Sequence, residues 1–181
     1  MLRSTRRLAL SALALSAALA TAHCQRGAAP AATAEAGCCE VTPNSALGTG
    51  MGRIVVSYPA GDGAESTRLD MYAAGASNAI KSEYGEASLE LAPGTYEAAV
   101  GGRRVAGVGV KAGYDTRIRV GVLHVHATES TRIDLIEPAS GEEFASGYGE
   151  KQYGLPVGLV AVEVAGQRDT ALIEDGKVTD F

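Results

Sequence analysis

Glu65-Ser66-Thr67-Arg68-Leu69-Asp70 is written again 64 residues later as Glu129-Ser130-Thr131-Arg132-Ile133-Asp134. The match does not stop there. At the same offset SEYGE (82–86) aligns with SGYGE (146–150), and Leu91, Gly94 and Val100 recur as Leu155, Gly158 and Val164. Residues 65–104 hold 14 identities in 40 without a gap. After a shift of one, VKAGYDTRI continues against IEDGKVTDF. Self-similarity at one fixed period marks a duplicated structural unit. It divides the chain into copies at about 51–115 and 117–181.

Within each copy the residues follow strand grammar. Short apolar runs alternate with polar residues and are broken by Gly, Asp, Asn and Pro, with no sustained 3.6-residue period. TRLDMY predicts a strand with Leu69 and Met71 inward and Arg68 and Asp70 outward. TYEAAVG places Tyr96, Ala98 and Val100 on one face. Between copies Leu69/Met71 become Ile133/Leu135, and Tyr96/Ala98/Val100 become Val160/Val162/Val164. Inward positions stay apolar while volume is redistributed, as packed cores tolerate. The expected fold is all-β, with two tandem small antiparallel β-sandwich units. Units this small bury marginal cores, which favours a shared interface. The repeated YGE reads as a Gly-permitted bend whose Tyr covers the core edge. Asp175-Gly176 reads as a type I′ hairpin turn.

LELAPGTYEAAVGG (89–102) resembles the strand–PGxY–strand signature of carboxypeptidase-regulatory-like, PEGA-type and other transthyretin-like domains. Leu91, Pro93, Gly94, Thr95 and Tyr96 carry that resemblance. Pro93 presets φ and Gly94 permits a following positive-φ position, and Tyr96 would enter the core. The second copy, LPVGLVAVEVAG, lacks the Pro-Gly pair and the Tyr. The resemblance implies tandem accessory modules of the kind found in secreted bacterial proteins, non-catalytic and without a cofactor.

The N-terminus implies export. Arg3, Arg6 and Arg7 precede the apolar run LALSALALSAALA, and Ala20-Thr21-Ala22 supplies a small-x-small cleavage site, so residues 1–22 read as a signal peptide. The run falls short of the roughly 20 residues a spanning helix needs. Cys24 stands where a lipoprotein carries its lipidated cysteine, although His23 replaces the small residue expected before it. Residues 23–50, rich in Ala, Gly, Thr and Pro, read as a disordered tether. Cleavage would leave 13 basic against 21 acidic residues, a net charge of −8. With no basic run beyond the Arg103-Arg104 pair, nucleic acid is not an expected partner. The protein is expected outside the cytoplasm, meeting a membrane only through its signal peptide or a lipid anchor.

Few residues suggest chemistry. His124 and His126 in VLHVHA share a strand face and could hold a metal, with Glu129, Asp134 or the Cys38-Cys39 pair as further ligands. Cys38-Cys39 lies before the repeats, outside any CxxC pattern. Asp62 and Glu65 form a conceivable calcium loop without the EF-hand spacing. A Ser/His/Asp hydrolase would need a nucleophile elbow, and GxSxG does not occur; Ser140 and Ser146 stand in ordinary loops. Tyr58, Tyr72, Tyr114 and Tyr153 are candidates for a partner surface. The expected role is a non-catalytic binding or structural module acting on a protein or glycan of the cell envelope. The alternative is a small metal-binding protein using His124 and His126.

Overall fold

The computed structural model describes residues 37–59 and 64–181. The signal segment, Cys24, the start of the expected tether and Asp62 lie outside the described residues. Of the described residues 62% are in strands, and the one helical element is a 3₁₀ turn at Ala64–Ser66. The fold is all-β, as the alternation predicts. The chain runs through β1 (Cys39–Pro43), β2 (Gly52–Val56), β3 (Arg68–Ala73), β4 (Ala79–Tyr84), β5 (Ala87–Leu91), β6 (Gly94–Val100), β7 (Arg103–Val110) and β8 (Tyr114–Ile118). It continues through β9 (Val120–Val125), β10 (Arg132–Ile136), β11 (Glu143–Tyr148), β12 (Lys151–Pro156), β13 (Gly158–Val164), β14 (Gln167–Ile173) and β15 (Val178–Asp180).

These strands form four small sheets, ordered β1-β8-β2-β5, β4-β3-β6-β7, β12-β9-β15 and β11-β10-β13-β14. The finer expectation of two tandem transthyretin- or Ig-like sandwiches gives way to this arrangement of small sheets. Their division does follow the repeat, two sheets to each copy. Ile54, Leu69, Met71, Leu89, Val100 and Val108 belong to one buried cluster, and Leu123, Ile133, Leu135, Leu155, Val162 and Ile173 to another. In each copy an early and a late strand pair in parallel, β2 with β8 and β9 with β15. Each copy also carries a ladder irregularity at the same place, Met71/Tyr72 and Leu135/Ile136.

The two repeated motifs explain each other. Gly85 (φ +66°) turns its Cα against the backbone of Glu65, where an added Cβ would lie 3.2 Å from Glu65 Cα. Gly149 (φ +72°) meets Glu129 in the same way at 3.1 Å. Gly85 N donates to Thr67 O at 2.8 Å, and Gly149 N to Thr131 O at 3.0 Å. EST and YGE are therefore two sides of one close backbone contact, which needs glycine for both its space and its left-handed φ.

Several local expectations are corrected. Cys39–Pro43, inside the expected tether, is strand β1, paired with β8 and satisfying that strand's outer edge. Tyr114–Ile118 is the last strand of the first pair of sheets, so the copies meet at Arg119 rather than near 116. Pro93-Gly94 joins strands of different sheets, and Gly94 opens β6 without a positive φ. Asp175-Gly176 is no hairpin turn, because β14 and β15 lie in different sheets and β15 pairs with β9. Tyr96 is only half-buried, and its hydroxyl donates to Ala92 O at 2.9 Å. Tyr84 and Tyr148 do not cover the core edge; they are 62% and 58% exposed.

Asp115 ties three segments together. It accepts from Arg53 Nε and Nη2 at 2.8 and 2.7 Å, and from the Asn44 amide at 3.0 and 2.9 Å. The hydrogen bond from Arg53 is the main cause that holds its carboxyl below the usual range, assisted by Asn44 and opposed by burial. A depressed folded pKa gives stability that is present above the unfolded value, about 3.9, and lost as pH falls through the folded one. Asp115→Asn is expected to lower stability at pH 7 by about 1–2 kcal/mol. It should also flatten the acid limb of a plot of Tm against pH below about pH 4. An acid limb identical to that of the parent would count against this role.

Candidate functional site

The second copy departs from the first where β9 lies between β12 and β15. Leu123 and Val125 are fully buried, so the period of two turns His124 and His126 to the other face. Parallel pairing with β15 sets Asp180 opposite His124, and the antiparallel ladder with β12 ends at Lys151 opposite Val125, placing Glu150 beside both rings. Phe181 N donates to His124 O and His126 N donates to Phe181 O, each at 2.9 Å, which pins the segment.

The side chains converge. The imidazole centroids are 4.1 Å apart. Asp180 Oδ1 lies 3.4 Å from His124 Nδ1 and 3.3 Å from His126 Nε2. Glu150 Oε1 lies 2.8 Å from His124 Nε2 and 3.8 Å from His126 Nδ1. Side-chain exposure rises from 18% for His124 to 73% for Asp180, so the cluster is reached from solvent. Ser66, of the first copy, lines the same depression with His124, Glu150, Lys151 and Gln152. The shared histidine face is as the spacing predicts. The carboxylates are not: Asp134 is held by Arg132 at 2.7 Å, and Glu129 sits at the bend beside Gly149. Asp180, 54 residues from His126, enters only through the β9–β15 pairing.

Beside this cluster the first copy docks on the second. Gly154 N donates to Thr67 Oγ1 at 3.0 Å, and an added Cβ at Gly154 would lie 2.5 Å from the Tyr58 ring. Carbon at Gly101 would overlap Gly154 O, and carbon at Gly102 would overlap Phe144 O. Around this contact Arg103 donates to Glu137 at 2.9 Å and to Leu159 O at 3.0 Å. Arg117 and Arg119 pair with Asp175 at 2.6 and 3.3 Å. Those donors, Arg117 first, hold the Asp175 carboxyl below its ordinary range.

A third feature occurs twice. On the open face of β3–β4, Arg68 stands opposite Tyr84 and Asp70 opposite Ser82. On β10–β11, Arg132 stands opposite Tyr148 and Asp134 opposite Ser146. Arg68 bonds Asp70 at 2.8 Å and Arg132 bonds Asp134 at 2.7 Å. Among the tyrosines proposed for a partner surface, Tyr58 and Tyr153 are half-buried, with phenols pushed up by burial. Arg104 stacks on Tyr72 at 4.4 Å, and the Lys111 ammonium sits over Tyr114 at 3.9 Å.

The remaining candidates carry less. Cys38 and Cys39 are free thiols with sulfurs 3.0 Å apart, packed against the first core rather than strung along a tether. Burial, then the Cys38 hydrogen bond, pushes the Cys39 thiol up to about 12, which suppresses the reactive thiolate. Ser140 accepts from Glu142 N at 3.2 Å, a turn role, and Ser146 lies in β11 opposite Asp134.

No protein-family model matches the chain, and no curated protein matches it. Among solved structures it is similar to the Bacillus anthracis TIE protein, at 15% identity and a TM-score of 0.32, over 72% of this chain and 33% of that one. It is also similar to a leucine-rich repeat protein from Bacteroides thetaiotaomicron VPI-5482, at 15% identity and a TM-score of 0.25, over 73% and 26%. The chain thus spans a third or less of either protein. The expected kinship with carboxypeptidase-regulatory-like, PEGA-type and other transthyretin-like domains is corrected accordingly: no such family matches, and the strands form four small sheets.

Proposed function

We propose that this chain is an extracytoplasmic, non-catalytic binding or structural module that engages a protein or glycan partner through a surface it carries twice. The observation that carries this reading is the Arg-Asp-Ser-Tyr set, identical in residue type and register at 68/70/82/84 and 132/134/146/148. Core positions have drifted between the copies, as from Met71 to Leu135 and Ala98 to Val162. The Arg, Ser and Tyr positions of the set are exposed, and such positions are freer to drift, since surface substitutions usually change stability by less than about 0.5 kcal/mol. Their retention is therefore better explained by contact with a partner than by folding. Arg and Tyr are also the side chains that dominate binding hot spots.

The docking through Gly101 and Gly154 supports a fixed spacing between the paired surfaces. Two linked weak sites gain avidity of about 10²–10⁴ over one when both can engage. Export and tethering follow from the N-terminal reading, in which residues 1–22 are removed. The test is crosslinking and pull-down of the mature protein from its own envelope, compared with Tyr84→Ala, Tyr148→Ala and the double variant. Recovery should fall for each single variant and vanish for the double. A partner recovered equally by the double variant would sink the proposal.

A further inference from the structure

We propose that His124, His126 and Asp180 bind a divalent transition-metal ion of the borderline class, zinc or copper(II), with Glu150 orienting His124. One donor atom from each of the three residues lies within 4.8 Å of the others. Zinc bonds of about 2.0–2.1 Å in tetrahedral geometry set donors roughly 3.4 Å apart. The Asp180 oxygen already stands 3.4 and 3.3 Å from His124 Nδ1 and His126 Nε2. With Nδ1 turned to the ion, His124 Nε2–H donates to Glu150 at 2.8 Å. That is the carboxylate–histidine–metal relay that fixes tautomer and ring orientation. Two imidazoles and one carboxylate select zinc, copper(II) or nickel(II) over calcium or magnesium, which prefer all-oxygen sites. Three protein ligands also leave a position open to solvent.

The repeat supplies an internal comparison. Thr116 and Thr179 are equivalent, since each hydroxyl donates to a carbonyl seven residues earlier, Gly109 O at 2.7 Å and Leu172 O at 3.0 Å. Through their strand pairings, Ile54 with Thr116 and Leu123 with Thr179, the first-copy counterparts of His124, His126 and Asp180 are Val55, Ser57 and Arg117. The shared fold therefore does not require the cluster. Zinc alone is the probe. Calorimetric titration uses the mature chain carrying Cys24→Ser, Cys38→Ser and Cys39→Ser so that thiols cannot compete. One equivalent is expected to bind and to raise Tm. His126→Gln and Asp180→Asn, both at exposed side chains, should each weaken binding at least about 10-fold with an unchanged far-UV spectrum. No binding by the thiol-free chain, or an affinity in both variants equal to that of the thiol-free parent, overturns the site. Neither result bears on the paired tyrosine surfaces, which lie on other strands.

Discussion

Gly101→Ala is expected to cost about 2–3 kcal/mol, as overpacking against rigid neighbours does, and to release the first copy from the second. The added methyl would overlap the Gly154 carbonyl oxygen, and backbone yields less readily than a flexible side chain. The overlap is a cost beyond that of the turn itself, which the second copy shows separately because it already carries the substitution. Ala165, the counterpart of Gly101 at offset 64, holds φ +51° against +58°. Left-handed alanine costs about 1–2 kcal/mol, a strain that the second copy tolerates at an exposed position. Ala165→Gly is therefore the control, expected to be neutral or stabilising by at most about 1 kcal/mol. Denaturant unfolding checks both. The parent should show one cooperative transition, and Gly101→Ala should split or broaden it. Equal, small effects of the two substitutions would show that the contact contributes little.

Docking rests on positions where the copies differ, Gly101 against Ala165 and Gly154 against Glu90, together with shared ones such as Thr67. Gly154 stands where the first copy has Glu90, and its missing side chain admits Tyr58 and Thr67. Thr67, which is buried, turns its hydroxyl to Gly154 N, whereas the less buried Thr131 pairs with Thr128 at 2.6 Å. Sequence comparison alone shows such differences as noise, because nothing in Glu90 or Gly154 says which strand will meet a neighbour. What was legible depended on local periodicity. Leu69, Met71, Ile133 and Leu135 were placed inward by alternation, and all four are fully buried. The His124/His126 face followed from the same rule. Asp180 did not, because parallel pairing across 56 residues leaves no local trace in the chain. Composition misplaced β1 for a similar reason. Glu40 and Thr42 are exposed on an edge strand, whose backbone pairing with β8 needs no large apolar side chains. The turn chemistry of Asp175-Gly176 was read correctly for Gly176, which has φ +64°, but a positive φ does not tell a hairpin from a crossing between sheets.

Leu135→Ala should produce the larger loss within one core. Leu135 is fully buried among Leu123, Ile133, Leu155 and Val162. Removing a leucine from such a site costs about 2.7–5.0 kcal/mol, the spread reflecting how far the cavity can collapse. A cluster of nine buried residues, one of them an alanine, has little material with which to collapse, so the upper half of that range is expected here. The location of the loss is separable. Five of the seven tyrosines, Tyr58, Tyr72, Tyr84, Tyr96 and Tyr114, belong to the first copy, and the chain has no tryptophan. Tyrosine fluorescence therefore reports mainly the first copy, while far-UV dichroism reports both. If the docking contact couples the two cores, Leu135→Ala will lower both midpoints together. In the Gly101→Ala background the same substitution should lower the dichroism midpoint and leave tyrosine fluorescence nearly unchanged, and the difference between backgrounds measures the coupling energy directly. Fluorescence and dichroism that shift equally in both backgrounds would mean that Gly101 does not transmit stability between the copies.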